Sequence, residues 1–291
     1  MVSVASVRAN GLEFSFLSEG DGPLFLCLHG FPDCNRSFRH QMGPLSAAGY
    51  RVVAPNLRGY TPGSIPAQGF YQPAALGQDT LALIRALGHE RAVIYGHDWG
   101  TSAAYAAALI DPGAVERLIV SAVPYGSGMP RALVMNPAQQ RRSWYLFYFQ
   151  TFLAELAVPL EDYAFIEALW RDWSPGAVID AAELRAVKDV LAAPGVLTAA
   201  LAYYRTALNP ALRDPALDSL EQKYGADPIT VRTLYVHGER DGCIGVEVTT
   251  GMEDWFPAGF KRVVMPSVGH FVHWEDPDTF NRVVLEFLRQ N

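Results

Sequence analysis

The chain has 291 residues, half of them hydrophobic, and a formal net charge of −7 at pH 7. This length and apolar fraction allow a sizeable buried core, in one domain or in one domain with an insertion. The negative charge and the lack of a basic stripe argue against a phosphate-backbone ligand, so we expect no nucleic acid partner. Cys27, Cys34 and Cys243 are odd in number and lack metal-like spacing, which predicts neither a disulfide framework nor a metal site.

The N-terminal residues Met1 to Arg8 lack the charged and apolar regions of a secretion signal. No apolar run approaches the length that spans a membrane. We therefore expect a soluble, cytoplasmic protein with no membrane partner, and the sequence leaves the oligomeric state open.

The first half of the chain alternates between predicted strands and predicted helices. Residues 4–9 and 12–18 flank Asn10-Gly11, a pair typical of tight hairpins, and predict two antiparallel edge strands. Continuous apolar runs are typical of strands that are buried on both faces of a parallel sheet. Such runs cover residues 23–30, 50–55 and 92–96, and the helical patterns between them cover residues 37–48 and 73–88.

A further buried strand is predicted at residues 116–122, after which the pattern changes. From Pro124 to Ala226 the chain has aromatic and Ala/Leu-rich helical stretches that prolines interrupt, and no comparable strand. We interpret residues 125–226 as an inserted helical cap, with 1–124 and 227–291 as the core. The core pattern resumes with a strand at 232–238, a helix near 246–255, a strand at 261–265 and a helix at 277–288.

The segment Gly96-His97-Asp98-Trp99-Gly100 joins a predicted strand to an Ala-rich helix. This strand, turn and helix are typical of a nucleophile elbow, in which a sharp turn exposes one side chain at the edge of the sheet. Gly96 and Gly100 would allow the strand and the helix to approach closely around Asp98. The alternative is that Asp98 only caps the helix, because Asp is a favoured N-cap residue.

Three residues stand at the ends of three predicted strands: Asp98, Asp241 and His270. Their chain order is nucleophile, acid and histidine, which is the order that the α/β-hydrolase fold uses. Ligands of such sheets bind outside the carboxyl ends of the strands, so the three side chains can converge there. Taken singly, His270 could be a structural histidine and Asp241 a loop residue.

The chain resembles the epoxide hydrolases of the α/β-hydrolase fold superfamily, which are close to the haloalkane dehalogenases. The resemblance covers nearly the whole length and rests on His29-Gly30-Phe31-Pro32, the elbow, Asp241 and Gly269-His270. It implies an α/β-hydrolase fold with a helical cap and no cofactor or metal. It also implies an oxyanion hole formed by the backbone N–H groups of Phe31 and Trp99.

The same resemblance implies a mechanism with a covalent intermediate. Asp98 would attack an epoxide carbon to form an alkyl ester, and water activated by His270 would hydrolyse that ester. Asp241 would orient His270 and stabilise its protonated form. The partners are then a small-molecule epoxide, apolar or aromatic, and water, and the product is a vicinal diol.

Two cap segments resemble those that supply the acid tyrosines of epoxide hydrolases, residues 143–150 and 202–205. The matching residues are Tyr145, with Tyr148 as the second choice, and Tyr204. A tyrosine of ordinary pKa is protonated at neutral pH, so it can donate to the epoxide oxygen as the C–O bond breaks. The alternative is that the aromatic residues around Tyr145 only pack in the core, because they fall at helical spacing.

A haloalkane dehalogenase is the main alternative, because it uses the same nucleophile and needs N–H donors for the halide. Trp99 could supply one donor, and the cap tryptophans Trp144, Trp170 and Trp173 could supply another. Many haloalkane dehalogenases, however, carry a halide-binding Asn where this chain has Phe31. A hydrolase-fold binding protein is less favoured, since binding alone would not require Asp98, Asp241 and His270 together.

Overall fold

Eight strands form one sheet, and the helices lie on its two faces. The computed structural model describes residues 2–290. The strands are β1 (Ser3–Ala9), β2 (Leu12–Glu19), β3 (Leu24–Leu28), β4 (Arg51–Pro55), β5 (Ala92–His97), β6 (Val115–Ser121), β7 (Thr233–Gly238) and β8 (Phe260–Met265). Their order is β1-β2-β4-β3-β5-β6-β7-β8, and all pairs are parallel except β1 with β2 and β2 with β4. The predicted α/β class with a mostly parallel sheet is confirmed.

The described residues also form thirteen α-helices. These are α1 (Arg39–Ala47), α2 (Pro73–Ala86), α3 (Trp99–Ile110), α4 (Gly128–Met135), α5 (Pro137–Arg142), α6 (Trp144–Tyr148), α7 (Leu153–Ala157), α8 (Leu160–Trp173), α9 (Ala181–Leu191), α10 (Val196–Leu208), α11 (Asp218–Glu221), α12 (Val272–Glu275) and α13 (Pro277–Arg289). Within α8, residues 161–163 have left-handed dihedral angles, so the regular helix begins after them. No single helix among residues 2–290 is long and apolar enough to cross a membrane, and α9 and α10 pass that test only as a pair bent by 86°.

The buried strands are apolar throughout because helices cover both faces of the sheet. In β3, successive side chains alternate, so that Leu24, Leu26 and Leu28 pack in one cluster and Phe25 and Cys27 in another. Residues of α2 and α3 join the first cluster, and residues of α1 and α13 join the second. This sandwich leaves the carboxyl ends of the parallel strands at one edge, which faces the segment between β6 and β7.

Helices α4 to α11 occupy the segment between β6 and β7, whose described residues include no strand. Arg36 and Arg39 form salt bridges of 2.7 and 3.3 Å with Glu183 of α9. The hydroxyl of Tyr203 in α10 donates a hydrogen bond of 2.7 Å to the carbonyl oxygen of Arg58. We propose to divide the folded chain into a core of 1–124 and 227–291 and a cap of 125–226, because the change from strands to helices falls at these positions.

The helix predicted near 246–255 is wrong. The segment forms two short 3₁₀ turns instead, Val246–Thr249 and Glu253–Trp255. Gly251 between them has a φ of +75°, which a continuous right-handed helix does not accommodate. The Arg262 guanidinium donates to the Val246 carbonyl at 3.4 Å and to the Thr249 hydroxyl at 2.6 Å, and these tertiary bonds favour the turn over a helix.

Candidate active site

Asp98 lies at the sharp turn between β5 and α3. It is 5% exposed and has a φ of +51° and a ψ of −119°, an uncommon backbone conformation for a residue with a side chain. It occupies the N-cap position of α3, but its side chain makes no capping hydrogen bond. A Cβ atom on Gly30 would collide with the Asp98 carboxylate, and one on Gly100 would collide with the Leu28 carbonyl, so both positions require glycine. The turn thus directs the carboxylate away from the helix that follows it.

The two oxygens of the Asp98 carboxylate have different environments. Oδ1 accepts a hydrogen bond of 2.8 Å from the backbone N–H of Phe31. The backbone N–H of Trp99, the first residue of α3, acts with the Phe31 N–H to lower the pKa of the carboxylate. Oδ2 lies 3.8 Å from Nε2 of His270. The two predicted oxyanion-hole donors and the predicted base therefore meet at one carboxylate.

His270 follows β8, and Asp241 follows β7, so both loops start at the same edge of the sheet. His270 Nδ1 is 2.9 Å from Asp241 Oδ2, while Nε2 is buried and has no hydrogen-bond partner among the described residues. Asp241 Oδ1 accepts bonds of 2.7 and 2.8 Å from the backbone N–H groups of Cys243 and Ile244. The imidazole is fixed on one side and free on the side that faces Asp98.

The three ionisable groups shift one another's pKa. Burial lowers the pKa of His270, but the Asp241 and Asp98 carboxylates outweigh it and leave that pKa raised. Burial raises the pKa of Asp241, but His270 and the backbone donors outweigh it and hold that pKa below its usual value. For Asp98 burial dominates, so its pKa is raised despite His270 and the Phe31 and Trp99 amides. This arrangement favours an anionic Asp241 beside an imidazole that readily accepts a proton.

Tyr145 in α6 and Tyr204 in α10 are 3% and 2% exposed, and their ring centroids are 5.6 Å apart. The Tyr145 hydroxyl lies 3.2 Å from Sγ of Cys243, whereas the buried Tyr204 hydroxyl has no hydrogen-bond partner among residues 2–290. Burial, with the nearby Asp98 charge, raises the pKa of both phenols well above the usual value. Both hydroxyls are therefore protonated at neutral pH and can donate.

Tyr148 lies elsewhere. Its ring stacks on Phe165 at 5.7 Å and packs against Trp144 at the same distance. Tyr148 is not among the described residues that line the cavity beside Asp98, whereas Tyr145 is. The structure thus brings Tyr145 and Tyr204, and not Tyr148, to the carboxylate.

A cavity of about 670 Å³ lies between the cap and the edge of the sheet. The residues that line it include the proposed reactive groups, Asp98, Trp99, Tyr145 and Tyr204. Most of the remaining wall is apolar, and it includes Val123, Pro124, Met129, Pro130, Leu133, Leu146, Ala207, Leu208 and Ile244. Arg213 and Glu221 also contribute to the wall. The cavity is large enough for a drug-sized ligand and brings Asp98 and Trp99 of the elbow together with Tyr145 and Tyr204 of the cap.

The four tryptophans that are candidate halide donors differ in whether their indole N–H groups can reach a ligand in the cavity. The indole N–H of Trp170 donates to the Pro32 carbonyl at 2.8 Å. Trp144 is 43% exposed, and Trp173 packs against His270 with ring centroids 5.1 Å apart. None of these three belongs to the described lining of the cavity. Trp99 does line it, and its buried indole nitrogen has no partner within the described chain.

Two groups of buried residues place possible metal ligands within 4.8 Å of one another. One group is Asp241, Cys243 and His270, whose polar atoms already bond within the site. The other is Asp33, His97 and His273, none of which is part of the described cavity lining. In this second group, Ser37 bridges Asp33 at 2.5 Å and His273 at 2.6 Å, and His97 Nε2 lies 3.1 Å from the His270 carbonyl oxygen.

Two residues at the site were not predicted from the sequence. The carbonyl of Trp173 accepts bonds of 3.1 and 3.0 Å from the backbone N–H groups of His270 and Gly242, so it ties together the loops of the histidine and the acid. Cys243 contacts Tyr145. Because Cys243 lies two residues after Asp241, its place near the site could have been predicted. Trp173 lies far earlier in the chain, and no pattern in the sequence indicated that its carbonyl contacts these loops.

Comparison with known proteins agrees with this geometry. Residues 23–277 match the family model described as the alpha/beta hydrolase fold. Epoxide hydrolase 3 of Xenopus tropicalis is 30% identical over 296 residues, which cover 98% of this chain and 77% of that protein. The chain belongs to the α/β-hydrolase fold family, among its epoxide hydrolases.

Solved structures of the Bacillus megaterium epoxide hydrolase show the same fold. The inhibitor complex superposes with a TM-score of 0.85 at 26% identity, covering 98% of this chain and 100% of the other. A mutant of that enzyme complexed with its product, (R)-3-[1]naphthyloxy-propane-1,2-diol, gives a TM-score of 0.83 at 26% identity and the same coverage. These matches confirm the predicted fold and the predicted resemblance to epoxide hydrolases.

Proposed function

We propose that this member of the epoxide hydrolase group converts an epoxide into a vicinal diol through a covalent ester on Asp98. One observation carries the proposal. The Asp98 carboxylate has one oxygen held by the backbone amide of Phe31 and the other 3.8 Å from Nε2 of His270, and two protonated phenols line its cavity. A nucleophile, a base and two acids are therefore available to one bound molecule.

In the first step, Asp98 Oδ2 attacks a carbon of the epoxide ring. Oδ1 is occupied by the Phe31 N–H, so Oδ2 is the oxygen that is free to form the new bond. The C–O bond of the ring breaks with its electron pair going to the epoxide oxygen. That oxygen takes a proton from a phenol, and Tyr145 and Tyr204 are the protonated donors that share the cavity with the carboxylate.

In the second step, water attacks the carbonyl carbon of the Asp98 ester. His270 Nε2 takes the proton of the water, and Asp241 stabilises the imidazolium that forms. Negative charge develops on Oδ1, which already accepts from the Phe31 amide, and the Trp99 amide, which lowers the pKa of this carboxylate in the resting enzyme, is the second donor. The bond between the carbonyl carbon and Oδ2 then breaks, the departing oxygen takes the second proton of the water, and the diol leaves with the former Oδ2. The oxygen of water remains on Asp98, which is again a carboxylate.

We propose an apolar or aromatic epoxide as the substrate. Most of the cavity wall is hydrocarbon, and burial of apolar surface supplies most of the affinity in such pockets. A mutant of the structurally similar Bacillus megaterium enzyme binds a naphthyloxy-propanediol as its product, and that diol is aromatic. Styrene oxide is therefore a suitable first substrate.

The alternative function is that of a haloalkane dehalogenase, and one observation favours it. The indole N–H of Trp99, in the cavity wall, has no partner among the described residues and could bind a halide. Incubation with styrene oxide and 1-bromobutane in parallel separates the two functions. Diol without bromide supports the epoxide hydrolase, bromide without diol supports the dehalogenase, and neither product would favour a binding protein.

The ester itself is tested by isotope labelling. With enzyme in excess of styrene oxide in ¹⁸O-water, we expect the first diol to carry no ¹⁸O and the peptide that contains Asp98 to gain it. The peptide that contains Asp241 is an internal control, because that carboxylate does not react. Label in the first diol and none on Asp98 would show direct attack of water on the epoxide and would refute the covalent mechanism.

A further inference from the structure

Cys243 places a thiol beside the proposed reaction centre. Its side chain is fully buried, and Sγ lies 3.2 Å from the hydroxyl oxygen of Tyr145. This is the only hydrogen bond that its thiol makes within residues 2–290. The other two cysteines, Cys27 and Cys34, are also buried but make no such contact among the described residues.

The backbone of Cys243 is fixed on both sides. Its N–H donates to Asp241 Oδ1 at 2.7 Å, and its carbonyl oxygen accepts from Gln139 Nε2 at 2.9 Å. The sulfur is therefore held in place by the carboxylate that orients His270 and by a cap helix. A displacement of Cys243 would disturb Asp241 and Tyr145 at once.

We propose that Cys243 is a positioning residue for Tyr145, its S–H donating to the phenol oxygen so that the single phenol proton points to the epoxide. The inference rests on the proposed function. A tyrosine hydroxyl has one proton and two acceptor lone pairs, whereas a thiol has one weak donor. If Tyr145 instead donated to the sulfur, its only proton would be turned away from the substrate.

The surroundings favour a protonated thiol. Burial, together with the Asp241 and Asp98 charges, raises the pKa of Cys243 and outweighs the lowering effect of its hydrogen bond with Tyr145. The pKa is well above the usual value, so the S–H bond persists at neutral pH. When the ring opens, the epoxide oxygen takes the proton of Tyr145 and the phenol oxygen becomes negative. The S–H group then donates to an anion, and such charge-assisted hydrogen bonds are stronger than neutral ones.

The contact also separates the roles of the two tyrosines. The Tyr204 hydroxyl makes no hydrogen bond among the described residues, and burial with the nearby Asp98 charge raises its pKa well above the usual value. We therefore assign proton transfer to Tyr145, while Tyr204 donates a hydrogen bond to the same oxygen and keeps its proton. The proton that Tyr145 loses is replaced from the imidazolium or from solvent after the ester is hydrolysed.

The test is a mutant cycle on the rate of ester formation in single turnover. Cys243→Ala is expected to slow this step about 3- to 10-fold, the usual effect of one hydrogen bond, with KM changed by less than about 2-fold. Cys243→Ser restores a hydrogen-bond donor, so it should recover the loss of about 3- to 10-fold and form the ester at least as fast as the wild-type enzyme. In a Tyr145→Phe background, Cys243→Ala should cause no further loss, because the partner oxygen is already absent.

Cys27→Ala is the matched control, since it removes a buried thiol in β3 that does not contact the site. It should lower the melting temperature without a change in the rate of ester formation. Equal losses from Cys243→Ala in both backgrounds, or a Ser variant no faster than Ala, would overturn the proposal and leave Cys243 as a packing residue. If Cys243→Ala does not fold, Cys243→Val takes its place in the cycle, because it also removes the S–H donor but fills more of the buried space, and its effect must vanish without the phenol oxygen. Label on Asp98 would remain in either case, so failure of this proposal is distinct from failure of the covalent mechanism.

Discussion

The polar side chains of the site differ between the core and the cap in whether they already have hydrogen-bond partners. In the core, Asp98 and Asp241 each accept from backbone amides, Asp98 from Phe31 and Asp241 from Cys243 and Ile244. In the cap, the hydroxyl of Tyr204 has no partner within the described chain, and that of Tyr145 has one weak partner. The charged groups are fixed in advance, and the neutral donors are left available.

This difference follows from the order of the two proposed steps. Charge resides on Asp98 before the reaction and on its Oδ1 during ester hydrolysis, so fixed backbone dipoles stabilise both states at no cost of reorganisation. The epoxide oxygen is present only when substrate is bound. A phenol that already had a strong partner would have to break that bond first, so the cap donors are more effective unpartnered. We therefore expect loss of the nucleophile Asp98 to abolish the ester, other core variants to affect its hydrolysis, and cap variants to affect its formation.

The largest effect is expected from Asp98→Ala. Without the carboxylate no ester can form, and diol production should fall by at least about 10⁴-fold. Steady-state turnover of styrene oxide measures this. Asp111→Ala is a suitable control, because it removes a carboxylate whose salt bridge with Arg85 lies on the surface. Substantial activity of a folded Asp98→Ala variant would mean that another group attacks the epoxide.

His270→Ala is expected to separate the two steps. Turnover should fall by about 10³-fold or more, because the variant lacks the base that activates the attacking water. Ester formation does not use Nε2, so the peptide that contains Asp98 should carry the mass of the substrate after one turnover. Mass spectrometry of the digested protein detects it. A folded variant that neither consumes one equivalent of epoxide nor forms the adduct would place His270 in the first step.

The cap tyrosines should give the converse result. Tyr145→Phe and Tyr204→Phe each remove one donor to the epoxide oxygen and are expected to slow ester formation about 10- to 100-fold. The double variant should lose more than either and should not accumulate ester. Rapid-quench measurement of the adduct on Asp98 provides the rates. Accumulation of ester in a Tyr→Phe variant would contradict the assignment of these residues to ring opening.

Much of this arrangement was predictable because it is local in sequence. The elbow around Asp98 and the buried strands have patterns that short segments carry by themselves, and the fold fixes where Asp241 and His270 converge. The contact of Cys243 with Tyr145 was not predictable, since it depends on how the cap lies on the core. The same holds for Trp173, whose carbonyl ties two core loops, and for Val246–Thr249, where Arg262 favours a turn over the expected helix.

A change of pH should also distinguish the two steps, with a smaller effect on the rate than the substitutions above. In the resting enzyme the Asp241 and Asp98 carboxylates raise the pKa of His270. In the ester Asp98 carries no charge, so Asp241 is the carboxylate that still raises that pKa, and only the neutral imidazole accepts the proton of water. Ester hydrolysis should therefore slow by about 10-fold for each pH unit below that pKa, and the ester should accumulate as pH falls. Asp241→Asn removes one charge that raises this pKa, so the acid limb of the profile should move to lower pH. A limb that stayed in place would assign the titration to another group.

The smallest effect is expected from Tyr148→Phe, which makes the same chemical change as Tyr145→Phe three positions along the chain. The Tyr148 ring packs on Phe165 and Trp144, outside the described lining of the cavity, so its hydroxyl has no path to the epoxide oxygen. We expect less than about a 2-fold change in kcat/KM, as for a surface substitution that alters no buried bond. Equal losses at both positions would mean that the cap rearranges on binding and brings Tyr148 to the substrate. In that case the unpartnered state of the cap phenols would reflect a mobile cap, and not a site prepared in advance.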